Sequence, residues 1–131
     1  MTPAKLARYA WAAPSTALGL LLAAAFRAGG AHVRVVQGVL EAGGGRLGGL
    51  AGRLPPAVRF SAFTVGHVIL GLDQPSLDAC RRHEHVHVRQ YERYGPFFLP
   101  LYAASSLWQW LRGRHPYLDN HFERQAFREA R

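Results

Sequence analysis

The sequence predicts an α+β domain: a small antiparallel sheet, then a metal-binding helix and two further helices, all preceded by an apolar N-terminal helix. Three observations predict it. Residues Tyr9 to Phe26 carry no charge. Segments rich in β-branched residues lie between 31 and 72, broken by glycines. From Asp73 onward, residues recur at helical steps between capping residues. A chain of 131 residues makes one domain with a modest core. Its organisation reads as an apolar helix over 1–28 and a folded unit over 29–131.

The N-terminal run is preceded by Lys5 and Arg8 and closed by Arg27. Three readings compete. A signal peptide would use the basic start, the stretch Ala17 to Ala25 and the small residues near its end. A transmembrane helix would be near the lower length limit for spanning. A helix packed on the domain is the third. Pro14 is expected to begin or kink the helix and leave about 12 residues, Ser15 to Phe26. That length suits a packed or interfacial helix, so membrane association or core packing is preferred to cleavage.

Ala31 to Ala42 reads as a strand pair or one long bent strand. Gly43-Gly44-Gly45 is a flexible break; it lacks the Lys-Ser/Thr of a phosphate loop. Leu47 to Pro56 is a Gly- and Pro-rich connection. Val58 to Leu72 is a strand region with Gly66 as a bend or bulge. It leads straight into a helix that starts at Asp73 or Ser76 and stops at Gly95-Pro96.

Within that helix His83-Glu84-His85-Val86-His87 fits H-E-x-x-H. His83 and His87 stand one turn apart on the same face, where two imidazoles can close on one Zn²⁺. Glu84 can reach a metal-bound water. Seven histidines make the pattern too easy to meet by chance, so context must support it. The stripe Leu77, Cys80, Glu84, His87, Tyr91 and Tyr94 puts polar groups on a face that packs, and such groups need partners. Arg81, Arg82, Arg89, Glu92 and Arg93 supply a solvated face. His85 points elsewhere. Cys80 packs as a small hydrophobe or joins the metal shell.

A catalytic zinc needs a third protein ligand. The last helix, Phe122 to Arg131, is capped by Asp119 or Asn120 and brings Glu123. A glutamate three residues after a cap can also fold back on the helix start as a capping box. His115, Asp119 and His121 are rival ligands, and spacing alone does not choose among them. The apolar stretch from Phe97 to Leu111 is a core helix packed behind the metal helix, or an aromatic-rimmed helix at a bilayer interface.

H-E-x-x-H on one helix followed by E-x-x-A on a later one, here Glu123-Arg124-Gln125-Ala126, resembles the gluzincins, zincin metallopeptidases whose third ligand is a glutamate. The chain also resembles short bacterial proteins with an H-E-x-x-H-x-x-Q stretch, here ending at Gln90. The matching motifs cover about a third of the chain. The resemblance implies a minimal zincin-like domain over 29–131, zinc held by His83, His87 and Glu123, and Glu84 as general base. It implies zinc-dependent hydrolysis of a peptide or protein substrate. The strand before the metal helix, Thr64 to Leu70, with Thr64, Val65, Gly66, His67 and Val68, would be the edge that holds substrate backbone. Tyr91, Tyr117, His121 and Asp119 are the candidates for oxyanion or outer-sphere roles. Phe127 stands where the family often carries an aspartate after E-x-x-A, so no outer carboxylate is identified.

The formal charge of +8 comes from 16 Lys+Arg against 8 Asp+Glu, and Lys5 is the only lysine. Such a surface favours anionic partners, among them acidic lipid headgroups. No nucleic-acid motif accompanies it, so nucleic acid is not the expected partner. A single cysteine excludes an intrachain disulfide. The expected location is membrane-associated or cytoplasmic, with export open. Two rival functions stand beside the hydrolase: a non-catalytic zinc-stabilised or membrane-associated adaptor, and a basic binding module without metal.

Overall fold

The computed structural model describes residues 2–56 and 60–130. The start of the expected strand region, Val58 and Arg59, and the last residue of the expected final helix, Arg131, lie outside the described residues. The order is α1 (Pro3–Ala28), β1 (His32–Val36), β2 (Val39–Gly43), α2 (Gly45–Ala51), β3 (Ala62–Val65), β4 (Val68–Gly71), α3 (Gln74–Tyr94), α4 (Phe98–Leu111) and α5 (His121–Glu129). A single 3₁₀ turn, Gly95–Phe97, joins α3 to α4.

The class is α+β, but the sheet is mixed rather than antiparallel. Its strand order is β1-β2-β4-β3. Two hairpins build it, β1/β2 and β3/β4, each antiparallel. The connection between them carries α2 and returns the chain beside β2, so β2 and β4 pair in parallel. The Gly- and Pro-rich connection therefore holds a short helix that composition did not suggest. The strand region over 58–72 is a hairpin, not one strand with a bulge. Gly66, with φ of 65°, makes its turn with His67. A side chain at Gly66 would also collide with the Thr16 backbone.

The central strands are covered on both faces, with β4 buried at all four positions, while edge strand β1 is largely exposed. The side chains of β4 alternate. Val68 and Leu70 pack with Ala23 and Phe26 of α1, while Ile69 packs with Leu77 and Val88 of α3. A third cluster, Ala12, Tyr91, Phe98 and Phe122, joins α1, α3, α4 and α5.

Pro14 neither begins nor breaks α1, which runs for 26 residues. Pro14 lies on the exposed side, while Ala12, Ser15, Gly19, Ala23 and Phe26 form a buried stripe. Packing of that stripe holds the helix through the missing backbone donor. Gly19 permits the contact: a Cβ there would run into the Val65 carbonyl. Tyr9 donates to the Gly38 carbonyl at 2.7 Å and Trp11 Nε1 to the Arg93 carbonyl at 3.1 Å. α1 thus contributes a packed layer of the same fold.

Asp73 caps α3, accepting from Ser76 N at 2.8 Å. Arg81 does not belong to a solvated face. It grips Glu41 of β2 through Nε (2.8 Å) and a terminal nitrogen (3.0 Å), and Glu41 is only 1% exposed. This bidentate pair fixes α3 on the sheet. Glu92 likewise faces inward, to His67. Replacing Arg81 by Ala leaves the buried Glu41 carboxylate with only Arg34, 3.9 Å away, and should lower stability by about 3 kcal/mol. Urea unfolding that leaves the midpoint unchanged would refute this account of how α3 is anchored.

Candidate metal centre

Two helices build the site. α3 carries His83, Glu84 and His87, and α5 brings Glu123. Asn120 sets the position of α5. Its Oδ1 caps the helix, accepting from Phe122 N at 2.8 Å and Glu123 N at 3.4 Å. Its Nδ2 donates to Tyr102 O and Ser106 Oγ of α4. Asn120, not Asp119, is therefore the cap. The clamp delivers Glu123 to α3, with Phe122 and Ala126 buried on either side.

Glu123 does not fold back as a capping box. Its Oε1 lies 2.9 Å from His83 Nε2 and 3.1 Å from His87 Nε2. Its Oε2 accepts from the Tyr102 hydroxyl at 2.6 Å. Glu84 stands beside them: donor atoms of His83, Glu84 and His87 all lie within 4.8 Å of one another, a group able to hold a metal ion. Two metal bonds of about 2.0–2.1 Å at a tetrahedral angle set their donor atoms about 3.3 Å apart. The observed imidazole–carboxylate separations are close to that.

The His87 imidazole is held in a defined orientation. Gln90 Nε2 donates to Phe122 O and Gln125 Oε1, both at 3.0 Å, so Gln90 presents Oε1 to His87 Nδ1 at 2.7 Å. His87 Nδ1 therefore carries the proton and donates it to Gln90. Nε2 is left facing Glu123 Oε1. A nitrogen lone pair and a carboxylate oxygen at that distance require a cation between them, either a proton or a metal.

The charge balance agrees with this. Burial works against Glu123 as a carboxylate, but His83, His87 and Tyr102 override it and hold its pKa at about 2. Burial also opposes a charged His87, and Glu123, Glu84 and Gln90 outweigh it to raise its pKa. Glu84 goes the other way. Desolvation raises its pKa despite the two imidazoles and Thr64. Thr64 Oγ1 donates to Glu84 Oε1 at 3.0 Å, and Glu84 Oε2 lies 3.9 Å from His83 Nε2.

The rival ligands are spent elsewhere. His115 Nδ1 accepts from Tyr117 N and Leu118 N in the turn before α5. Asp119 accepts from His115 N at 2.9 Å. His121 is exposed, with its ring against Phe122. Tyr91 is buried and donates to Thr64 O at 3.1 Å, so its hydroxyl is not free for an oxyanion. The exposed Tyr117 ring lies against Phe127, with centroids 6.2 Å apart, and Phe127 in turn packs on His83. Burial, then the Glu123 and Glu84 charges, push the Tyr117 phenol upward.

The expected substrate edge is only partly an edge. β3 is the outer strand, but Gly66 and His67 form the turn and Val68 lies in central β4. The Thr64 carbonyl, which would pair with a substrate, is already taken by Tyr91. His67 is a packing residue: it is buried, bonds Glu92 Oε2 at 2.8 Å and stacks on Tyr9 at 3.8 Å. Phe127, in place of an outer carboxylate, packs its ring against His83 at 4.6 Å. Cys80 is half-buried, and burial and Glu84 push its thiol upward.

Gln90, Tyr102 and Thr64 as the partner of Glu84 went unassigned from sequence. Gln90 was open to detection, three residues after His87 and so on the same face. Tyr102 carries no local signal, because it meets Glu123 only through tertiary packing. Comparison of the chain with protein-family models, with curated proteins and with solved structures gives no match.

Replacing Gln90 by Leu removes the acceptor that sets the His87 tautomer. Zinc affinity should fall about 10–100-fold with helical content retained. Replacing Glu123 by Ala should abolish stoichiometric binding. A chelator-competition titration that finds either variant equal to the parent chain would contradict the assigned ligand set.

Proposed function

We propose that the chain is a small zinc-dependent peptide hydrolase of the gluzincin type. One observation carries the reading. Two imidazole nitrogens from adjacent turns and a carboxylate oxygen from another helix converge on one point, with a buried glutamate beside them. An ion shared by the three atoms would take the place of the two imidazole–carboxylate hydrogen bonds, and the donor set of two nitrogens and one oxygen suits zinc.

In this reading His83, His87 and Glu123 hold the ion, and Tyr102 steadies Glu123 through its second oxygen. Zinc bound there supplies Lewis acidity, bringing a coordinated water toward neutral acidity and polarising a carbonyl. The protein supplies the proton transfers. Glu84 has its Oε1 held by Thr64, so Oε2 is the atom that takes a proton from water and delivers it to the leaving amine nitrogen. Its upward shift from burial moves it toward the range in which a base works at neutral pH. Tyr117 stays a neutral phenol and is the donor to the developing oxyanion.

Replacing Glu84 by Gln keeps the shape and the Thr64 contact but removes the base. The variant should retain one zinc per chain and lose hydrolysis of a fluorogenic peptide library by about 10²–10⁴-fold. Loss of zinc in that variant would overturn the division of roles. Purified parent chain with one zinc but no activity on any peptide would favour the non-catalytic adaptor. Parent chain without stoichiometric zinc would remove both readings.

A further inference from the structure

Two helices of this fold are inside out. α1 buries a narrow stripe on the sheet, and every exposed residue from 10 to 25 is apolar, the largest being Trp11, Leu18, Leu20 and Leu21. α4 buries only Phe98. Its polar residues turn toward the protein: Tyr102 binds Glu123, Ser106 binds the Pro116 carbonyl, and Ser105 accepts from His121 N. Its exposed residues from 99 to 111 are all apolar, with Trp110 63% and Leu111 65% exposed. A helix facing water carries its polar residues outward. These two carry them inward or not at all.

The two faces are continuous. Trp11 of α1 packs against Phe97 at the start of α4, with ring centroids 5.9 Å apart. Pro100 and Leu101 line the same shallow depression with Trp11. All three tryptophans of the chain are exposed, and all lie on α1 or α4.

Charge is sorted about this surface. No acidic residue occurs in residues 1–40 or 93–118, so all eight lie elsewhere. Lys5, Arg8 and Arg27 lie towards the two ends of α1, and Arg93, Arg112 and Arg114 flank α4. Arg112 reaches over the Trp108 ring at 5.5 Å.

We propose that the apolar faces of α1 and α4 form one lipid-binding surface that embeds in the interfacial layer of an anionic bilayer. Arginine and tryptophan at the rim meet the headgroups, and the leucines enter the acyl region. α1 is long and apolar enough to cross a membrane by length and composition. It does not cross in this arrangement. Contacts from Tyr9 to Phe26 fasten it to the sheet and α3, and a span would drag the sheet into hydrocarbon. The inference is independent of the metal, because neither face includes a ligand.

The test uses the purified full chain and vesicles of phosphatidylcholine with about 30% phosphatidylglycerol. The chain should float with the vesicles and stay bound in about 0.5 M NaCl, since apolar insertion is not screened. Its tryptophan emission should shift to the blue and be quenched by brominated acyl chains. Leu21→Glu combined with Trp110→Glu should weaken vesicle binding at least about tenfold while keeping helical content. Quenching of the parent chain reads insertion even if the variant misfolds. Three results would overturn the proposal: a monomer in detergent-free buffer that ignores vesicles, vesicle binding abolished by salt with no quenching, or a soluble dimer dissociated by the same substitutions. The last would assign the surface to a second copy of the chain.

Discussion

One carboxylate oxygen ties two helices together: Glu123 Oε1 of α5 lies 2.9 Å from His83 Nε2 and 3.1 Å from His87 Nε2 of α3. The contact is largely buried, so water screens it little, and the rest of the fold must hold the three groups in register. Much of the structure answers that requirement. The Asn120 clamp fixes the start of α5 on α4. Gln90 holds one imidazole, Tyr102 holds the carboxylate, and Phe127 walls the other imidazole.

Glu84 differs from Glu123 although the two carboxyls share the same imidazoles. Glu123 receives three hydrogen bonds and is driven far below its ordinary range. Glu84 receives one from a threonine side chain, and desolvation dominates. Two carboxyls pushed apart in this way suit two tasks, one as a permanent anion and one as an exchanger of protons. The anchor for this contrast is remote. The buried Glu41–Arg81 pair seats α3 on the sheet, and Thr64 of β3 then reaches Glu84 across the same contact.

The inside-out helices give the small domain a second constraint. A soluble domain of this size needs most of its apolar surface for its own core. Here α4 spends its leucines and tryptophans outward and its polar groups on Glu123 and Asn120. The same helix thus supports the candidate metal site on one side and presents an exposed apolar face on the other. Under the lipid-binding proposal, the site lies in a domain held at a bilayer surface.

Local periodicity was enough for α3. A start at Asp73 or Ser76, Gly95 as stop and the buried stripe through Glu84, His87 and Tyr91 follow from near-neighbour spacing, and the structure gives the cap to Asp73. It was enough for the apolar N-terminal helix as well, though not for its length, since packing carried it through Pro14. Contacts between distant segments were not legible. The parallel pairing of β2 and β4 depends on how a connection crosses, which no window of sequence encodes. Whether Glu123 folds back on its own helix or reaches His83 and His87 is a choice between a local bond and three distant ones. Only the docking of α5 through Asn120 and Phe122 makes the distant ones available. Sequence alone named His83, Glu84, His87 and Glu123 as candidates, because helical spacing and side-chain type are local properties. The tertiary structure decided which of them meet and which face of α4 turns outward, because both are settled by packing between segments far apart in the chain.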